Sequence, residues 1–180
     1  MSERRINEHM IFLETPRLRL RNVTEKDADI MHEYRNNKIC NRYQRGQTKE
    51  RTGIIALIKR RKDDEMTLSA PFMIAVALKD SDEMIGEIAA IPKDDSISLG
   101  YTFSCKHHRR GYAFESLNAL IETLHKRYPE CVFISYTDTE NKPSMELLKK
   151  LGYKDMGYSS QLSSRIFSKY AKEEKYRKSQ

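Results

Sequence analysis

The sequence predicts an α/β domain: a mixed, mostly antiparallel twisted sheet flanked by helices. Three apolar runs of strand length, at 71–78, 84–91 and 96–103, are joined by short polar turns, which is the pattern of an antiparallel meander. A helical stripe of Ala113, Leu117, Leu120, Ile121 and Leu124 then separates the third run from a fourth, Cys131 to Tyr136. A crossover of that kind makes the neighbouring strands parallel. The chain has 180 residues, the size of one domain with a substantial core.

Each element has a local reason. Residues 1–10 are polar and read as a loose N-terminus before a domain over 11–172. From Ile11 to Val23, Leu18 and Leu20 alternate with Arg17, Arg19 and Arg21, predicting a half-exposed strand with Pro16 near its start. Thr24-Glu25-Lys26-Asp27 is a capping sequence for a helix whose apolar stripe is Ala28, Ile30, Met31 and Tyr34, ending near Asn36-Asn37. Thr48 caps a second helix through Ile54, Ile55 and Ile58 to about Arg61. Asn141 is a good N-cap, and Pro143 suits a first helical turn. Gly152 sits at the position after the helix, where Leu148 meets Tyr153 in a Schellman-type stop. Residues 153–158 and 164–171 read as a closing hairpin, and 173–180 as a charged tail.

Composition narrows the class. Hydrophobic residues make up 38% and charged residues 33%, polar for a globular chain but not the signature of disorder. The formal charge of +7 favours an anionic partner, so a nucleic acid or ribosome enters as a candidate, although runs such as Lys59-Arg60-Arg61-Lys62 are ordinarily solvated faces. Cys40, Cys105 and Cys131 have no paired spacing, which argues against a zinc site or a disulfide framework and fits a reduced, cytoplasmic setting. No stretch approaches the roughly 20 apolar residues needed to span a bilayer. No metal and no membrane partner are expected; a monomer and a homodimer are both compatible with the sequence.

The chemistry centres on His107-His108-Arg109-Arg110-Gly111-Tyr112-Ala113-Phe114-Glu115, between a strand and a helix. The first N–H groups of a helix lack intrahelical partners and the macrodipole favours an anion there; Gly111 lets backbone approach oxygen atoms, and two arginines add charge. The alternative is a solvated basic loop before an ordinary helix. The surrounding order of strand, loop, helix, strand and helix gives the loop its meaning.

Leu99-Gly100-Tyr101, then Arg110-Gly111-Tyr112-Ala113 with Glu115, then Asn141-x-x-Ser144 and Lys150-Leu151-Gly152-Tyr153, resemble the cofactor-binding core of the GNAT (acyl-CoA N-acyltransferase) fold. Within it the chain is similar to the RimJ/RimL-type, ribosomal-protein alanine N-acetyltransferase branch, whose first strand resembles Leu13 to Arg21. The resemblance implies acetyl-CoA (coenzyme A) as cofactor and a primary amine as acceptor, either a protein N-terminus or a small amine, attacked directly in a ternary complex. It places the pyrophosphate on the backbone of Arg109 to Phe114. The pantetheine would lie along Tyr101 to Cys105, a stretch that carries a local bulge in the family. Phe103, Ser104, Cys105, His108, Arg109, Arg110, Gly111, Tyr112, Ala113, Phe114, Asn141 and Ser144 are therefore the cofactor-binding candidates. Two departures stand out: His108 occupies the family's glutamine, arginine or tryptophan position, and Arg109 occupies a common glycine position.

For catalysis, the tyrosine that many GNAT enzymes carry four residues before the final glycine is Leu148 here, so Ser144 or a bound water is the candidate general acid. Glu87, mid-strand in an apolar run, is either a buried base, also facing the acceptor, or an outward-facing glutamate. The branch's glutamate two positions before Gly100-Tyr101 is Ser98 here, so a water chain anchored by Glu87, Ser98 or Tyr101 is the fallback. Tyr101 completes the catalytic candidates. Asn41 and Tyr43 fall where the family builds its acceptor wall. His107 and His108 read as surface residues beside the phosphates. Cys105 has no base to activate it, so no covalent acetyl-enzyme is expected. Two other functions keep the fold without turnover: a basic RNA- or ribosome-binding module, and a non-catalytic acyl-CoA-binding regulator.

Overall fold

The structure, a computed structural model, describes residues 9–171. The expected charged tail at 173–180 and all but the last two residues of the expected loose N-terminus lie outside them.

Among the described residues, eight strands form one sheet in the order β1-β2-β3-β4-β5-β6-β8-β7. They are β1 (Ile11–Glu14), β2 (Leu18–Arg21), β3 (Phe72–Leu78), β4 (Met84–Lys93), β5 (Ser96–Phe103), β6 (Val132–Thr137), β7 (Lys154–Ser159) and β8 (Ser164–Lys169). Four helices accompany them: α1 (Ala28–Asn36), α2 (Arg51–Arg61), α3 (Tyr112–Arg127) and α4 (Lys142–Lys150). The meander is β3–β4–β5, and α3 carries the chain across to β6, which pairs with β5 in parallel as expected.

Strand alternation divides the core into two layers. Leu20, Ile74, Val76, Ile88, Ile97 and Leu99 pack with Leu117, Leu120, Ile121 and Leu124 of α3. On the other face Met73, Ala75 and Met84 pack with Met31 and Tyr34 of α1 and with Ile54 and Ile58 of α2. Beyond those helices the second face is open, and Ile91 and Tyr136 are 54% and 49% exposed.

Local chemistry sets the helix ends. The Asp27 carboxylate accepts the Thr24 N–H at 2.7 Å, and a short 3₁₀ turn leads into α1. Asn141 Oδ1 accepts the Ser144 N–H at 3.2 Å, the expected N-cap of α4. At the far end Tyr153 N donates to Leu148 O and Gly152 N to Lys149 O, with Gly152 at φ 85°, which is the Schellman stop anticipated there.

Three expectations are corrected. Residues 11–23 are not one strand: the chain reverses over Thr15, Pro16 and Arg17, and β1 pairs antiparallel with β2. Pro16 belongs to a turn, and Thr15 Oγ1 accepts the Leu18 N–H at 3.0 Å to close it. The second helix begins at Arg51 rather than just after Thr48, whose carbonyl instead accepts Arg35 Nη1 at 3.0 Å. No bulge interrupts β5, which stays in register with β4 from Gly86 opposite Phe103 to Lys93 opposite Ser96. The irregularity lies on its other edge. There β5 pairs with β6 only from Ser96 opposite Val132 to Ser98 opposite Ile134, after which the two strands diverge.

Candidate active site

The wedge opened by that divergence is the first half of the site. In a paired strand a residue's N–H and C=O point to the same edge, and alternate residues face alternate edges. Ser104 N bonds to Ile85 O of β4, so Leu99, Tyr101 and Phe103 turn their main chains into the wedge. Each carbonyl is held by a side chain: Leu99 O by Ser135 Oγ at 3.3 Å, Tyr101 O by Gln44 Nε2 at 3.0 Å, and Phe103 O by a His108 ring nitrogen at 2.9 Å.

The second half is the loop into α3. Arg109 has φ 59° and Gly111 φ 81°, so two left-handed residues flank Arg110 and curl the backbone over the helix N-terminus. Glycine adopts that conformation freely; an arginine there is strained. The first helical bond of α3 runs from Glu115 N to Gly111 O at 3.0 Å. Among the described residues, none of the N–H groups from Arg109 to Phe114 has an acceptor within the protein. Such a concave row of donors suits a pyrophosphate. Beside it stand Arg110 and Lys150, the latter with its ammonium 4.4 Å from the centre of the Phe114 ring, whereas Lys106 is turned away to pair with Glu33 of α1.

Ser144 and Tyr101 meet at the inner end of the wedge, their hydroxyls 2.7 Å apart. Burial pushes the Tyr101 phenol up to about 12, outweighing the lowering effect of the bond to Ser144, so it stays protonated near neutrality. Leu148 is fully packed in the core and no tyrosine replaces it.

Glu87 does not join this pair. It is opposite Thr102 in the β4–β5 register and faces α1, away from Tyr101. It is 3% exposed, so it is not the outward-facing glutamate the sequence allowed. Its carboxylate accepts Arg35 Nη2 and Tyr34 Oη, both at 2.7 Å, and Gln47 Nε2 at 3.0 Å. Burial first, then the Glu87 carboxylate, pushes the Tyr34 phenol well above its ordinary value.

The segment after α1 straps across the sheet from Arg35 to Tyr101 and Thr102. Asn41 and Tyr43 both lie on it, yet their polar ends serve the fold: Asn41 Nδ2 donates to Arg35 O at 2.9 Å and Tyr43 Oη to Glu140 O at 3.1 Å. Gln44 reaches Tyr101, Arg45 pairs with Asp138 at 3.4 Å, and Gln47 donates to Thr102 Oγ1 at 2.9 Å as well as to Glu87. Gln44 and Gln47 fall in the stretch 38–47 that the resemblance assigns to the acceptor wall, but their partners could not be read, being distant in sequence, and Arg35 was not legible as a site residue at all. Cys40 begins the strap and accepts the Cys105 N–H on its sulfur at 3.1 Å; burial pushes its thiol up to about 11, so it is no ready nucleophile. Of the remaining candidates, Asn141 caps α4 beside Ser144, whereas Ser104 turns its N–H to Ile85 of β4 and Cys105 turns its own to Cys40, so neither of these two main chains faces the wedge. A separate cavity of about 950 Å³, lined by His9, Arg21, Asp27 and Asp82 among others, contains none of these residues.

The loop before α3 offers the helix-terminus anion seat the sequence led us to expect, although a wedge stands where a bulge was expected, and residues 17–154 match the family described as Acetyltransferase (GNAT) domain. The chain belongs to the GNAT acetyltransferase family. Its relatives include the uncharacterized N-acetyltransferase YnaD of Bacillus subtilis, 25% identical over 146 residues that cover 80% of this chain and 83% of YnaD. Among solved structures, a GNAT-family acetyltransferase from Bacillus anthracis superposes with a TM-score of 0.76 at 17% identity, covering 90% of this chain and 99% of that one. The ribosomal-protein-S5-alanine acetyltransferase of Vibrio fischeri does so at 0.72 and 15%, covering 89% and 97%. The GNAT family uses acetyl-CoA, and the seat fits it: unpaired amides for phosphates, and a strand edge beside which an extended arm can lie. No helix among the described residues is long and apolar enough to cross a membrane.

Proposed function

We propose that this GNAT protein transfers the acetyl group of acetyl-CoA to a primary amine, with a protein N-terminal α-amino group as the favoured acceptor class. The 2.7 Å contact between Tyr101 and Ser144 at the inner end of the wedge carries the proposal. The amides of Arg109 to Phe114 hold the pyrophosphate, and Asn141 and the outer edge of β5 hold the pantetheine. Bound acetyl-CoA supplies the thioester. A main-chain N–H of β5 in the wedge polarises its oxygen. Ser144, oriented by Tyr101, gives its proton to the departing sulfur. Water carries the amine proton away to solvent past Ser98, and returns one to Ser144. Glu87 serves chiefly to anchor the wall, since Arg35, Tyr34 and Gln47 occupy its oxygens. The open face over Gly100, Ile91 and Tyr136 suits an extended chain rather than an enclosed small amine.

Calorimetric titration with acetyl-CoA, followed by mass spectrometry of peptides beginning with alanine or serine and of polyamines, tests the proposal. Peptide acetylation is expected, reduced roughly 10²-fold by Ser144→Ala and less by Tyr101→Phe. Cofactor binding without transfer to any primary amine would leave a regulator, not an enzyme.

A further inference from the structure

The turn between β1 and β2 reaches across to the cofactor loop, and we propose that Arg17 is a positioning residue that aims the amide of Gly111 at the anion seat; this rests on the seat assigned above. Arg17 Nη1 donates to Arg110 O at 3.0 Å. The peptide plane joining Arg110 to Gly111 is rigid, and in a trans peptide the C=O and N–H point in opposite directions. Capturing the carbonyl on the Arg17 side therefore turns the Gly111 N–H to the other side and removes a repulsive oxygen from the phosphates.

Arg17 is itself held firmly. Its Nε and Nη2 each lie 2.6 Å from Glu115 Oε2, and its own N–H donates to Glu115 Oε1 at 3.1 Å. Thr15 Oγ1 donates to the same oxygen at 2.6 Å, and the guanidinium carbon lies 4.5 Å from the centre of the Tyr112 ring. A Cβ built on Gly111 would stand 3.4 Å from Arg17 Nη2, so latch and loop are in contact. Glu115 neutralises Arg17, so the latch adds little net positive charge to the seat. Its contribution is orientation.

The experiment is titration of acetyl-CoA into wild type, Arg17→Gln, Arg17→Lys and Glu115→Gln. Arg17→Gln is expected to weaken binding about tenfold or more. Arg17→Lys should recover only part of that, since an ammonium cannot hold the Arg110 carbonyl and Glu115 Oε2 together in the plane of a guanidinium fork. Glu115→Gln should weaken binding severalfold, and the double variant should be no worse than Arg17→Gln, because the two act as one unit. S-acetyl-pantetheine, which carries no phosphate, should compete equally well for wild type and Arg17→Gln; unequal competition would mean a general structural role and overturn the proposal. So would Arg17→Gln within twofold of wild type. Tighter binding by Glu115→Gln would show that a freed Arg17 contacts phosphate directly, and would also overturn it. Absence of wild-type binding would overturn the seat and the latch together, whereas loss on Gly111→Val with Arg17→Gln unaffected would overturn the latch alone.

Discussion

Replacing Arg109 by glycine is expected to stabilise the protein while testing whether backbone or side chain serves the cofactor. Arg109 has φ 59°, is exposed, and has no hydrogen bond or ion pair through its side chain among the described residues. A left-handed conformation costs a non-glycine residue about 1–2 kcal/mol. Glycine relieves that strain but enlarges the unfolded ensemble, at about 0.4–1 kcal/mol. The net gain is on the order of 0.5–1 kcal/mol. For a chain of this size each kcal/mol moves the midpoint by about 2–4 °C, so thermal unfolding should show a rise of about 1–4 °C. Arg109→Ala is the companion: it removes the same guanidinium and keeps the strain, so its midpoint should stay near wild type. Acetyl-CoA titration of both then isolates charge, because any loss of affinity shared by the two variants belongs to the side chain. A fall in midpoint for Arg109→Gly would refute the reasoning, since it would mean that this arginine makes a stabilising contact or that its backbone is not left-handed.

Glu87→Ala leaves Arg35, which is 2% exposed, without its carboxylate; loss of about 3–5 kcal/mol is expected in urea unfolding, and a change under 1 kcal/mol would show that water replaces the carboxylate at little cost. Burial would raise the Glu115 carboxyl, but hydrogen bonds from Thr15 and Arg17 outweigh it and hold the group below its ordinary 4.5. A depressed carboxyl stabilises the fold above its unfolded value and loses that contribution as pH falls through the folded one. Acetyl-CoA affinity measured downward from pH 5 should therefore fall more steeply for wild type than for Glu115→Gln, and parallel curves would contradict the latch.

What the sequence disclosed and what it hid divide by the range of the interactions. Asn141 and Gly152 were readable because their roles, an N-cap and a C′ stop, are decided within four or five residues, whereas Gly111 was singled out for its missing Cβ and only the structure shows that it is also left-handed. The reversal at Pro16 was missed because alternating leucine and arginine looks the same in one strand as in two arms of a hairpin; only the pairing of Leu13 with Leu20 separates them. Arg17 was visible within a recognised motif, but its partner Glu115 is 98 residues away. Glu87 had two readings because period-2 alternation says which residues share a face, not which face a helix will cover. The bulge expected in β5 was carried over from the family, and divergence from β6 does its work instead.

That divergence raises the question of why the wedge does not collect another strand. An open edge presents alternating donors and acceptors and is a template for wrong pairing. Here the three carbonyls facing the wedge are each occupied, and the occupants come from separate elements: Ser135 from β6, Gln44 from the strap and His108 from the cofactor loop. A second protein strand needs both donors and acceptors from its partner, so capping the acceptors removes half of what it would bind. The N–H groups of Tyr101 and Phe103 on the same edge remain turned toward the wedge, and a ligand oxygen needs only those. The edge is thereby biased toward an oxygen-rich ligand and against self-association. Because Gln44 belongs to the strap and His108 to the loop before α3, the edge acquires this bias only when both halves of the candidate site are folded around it.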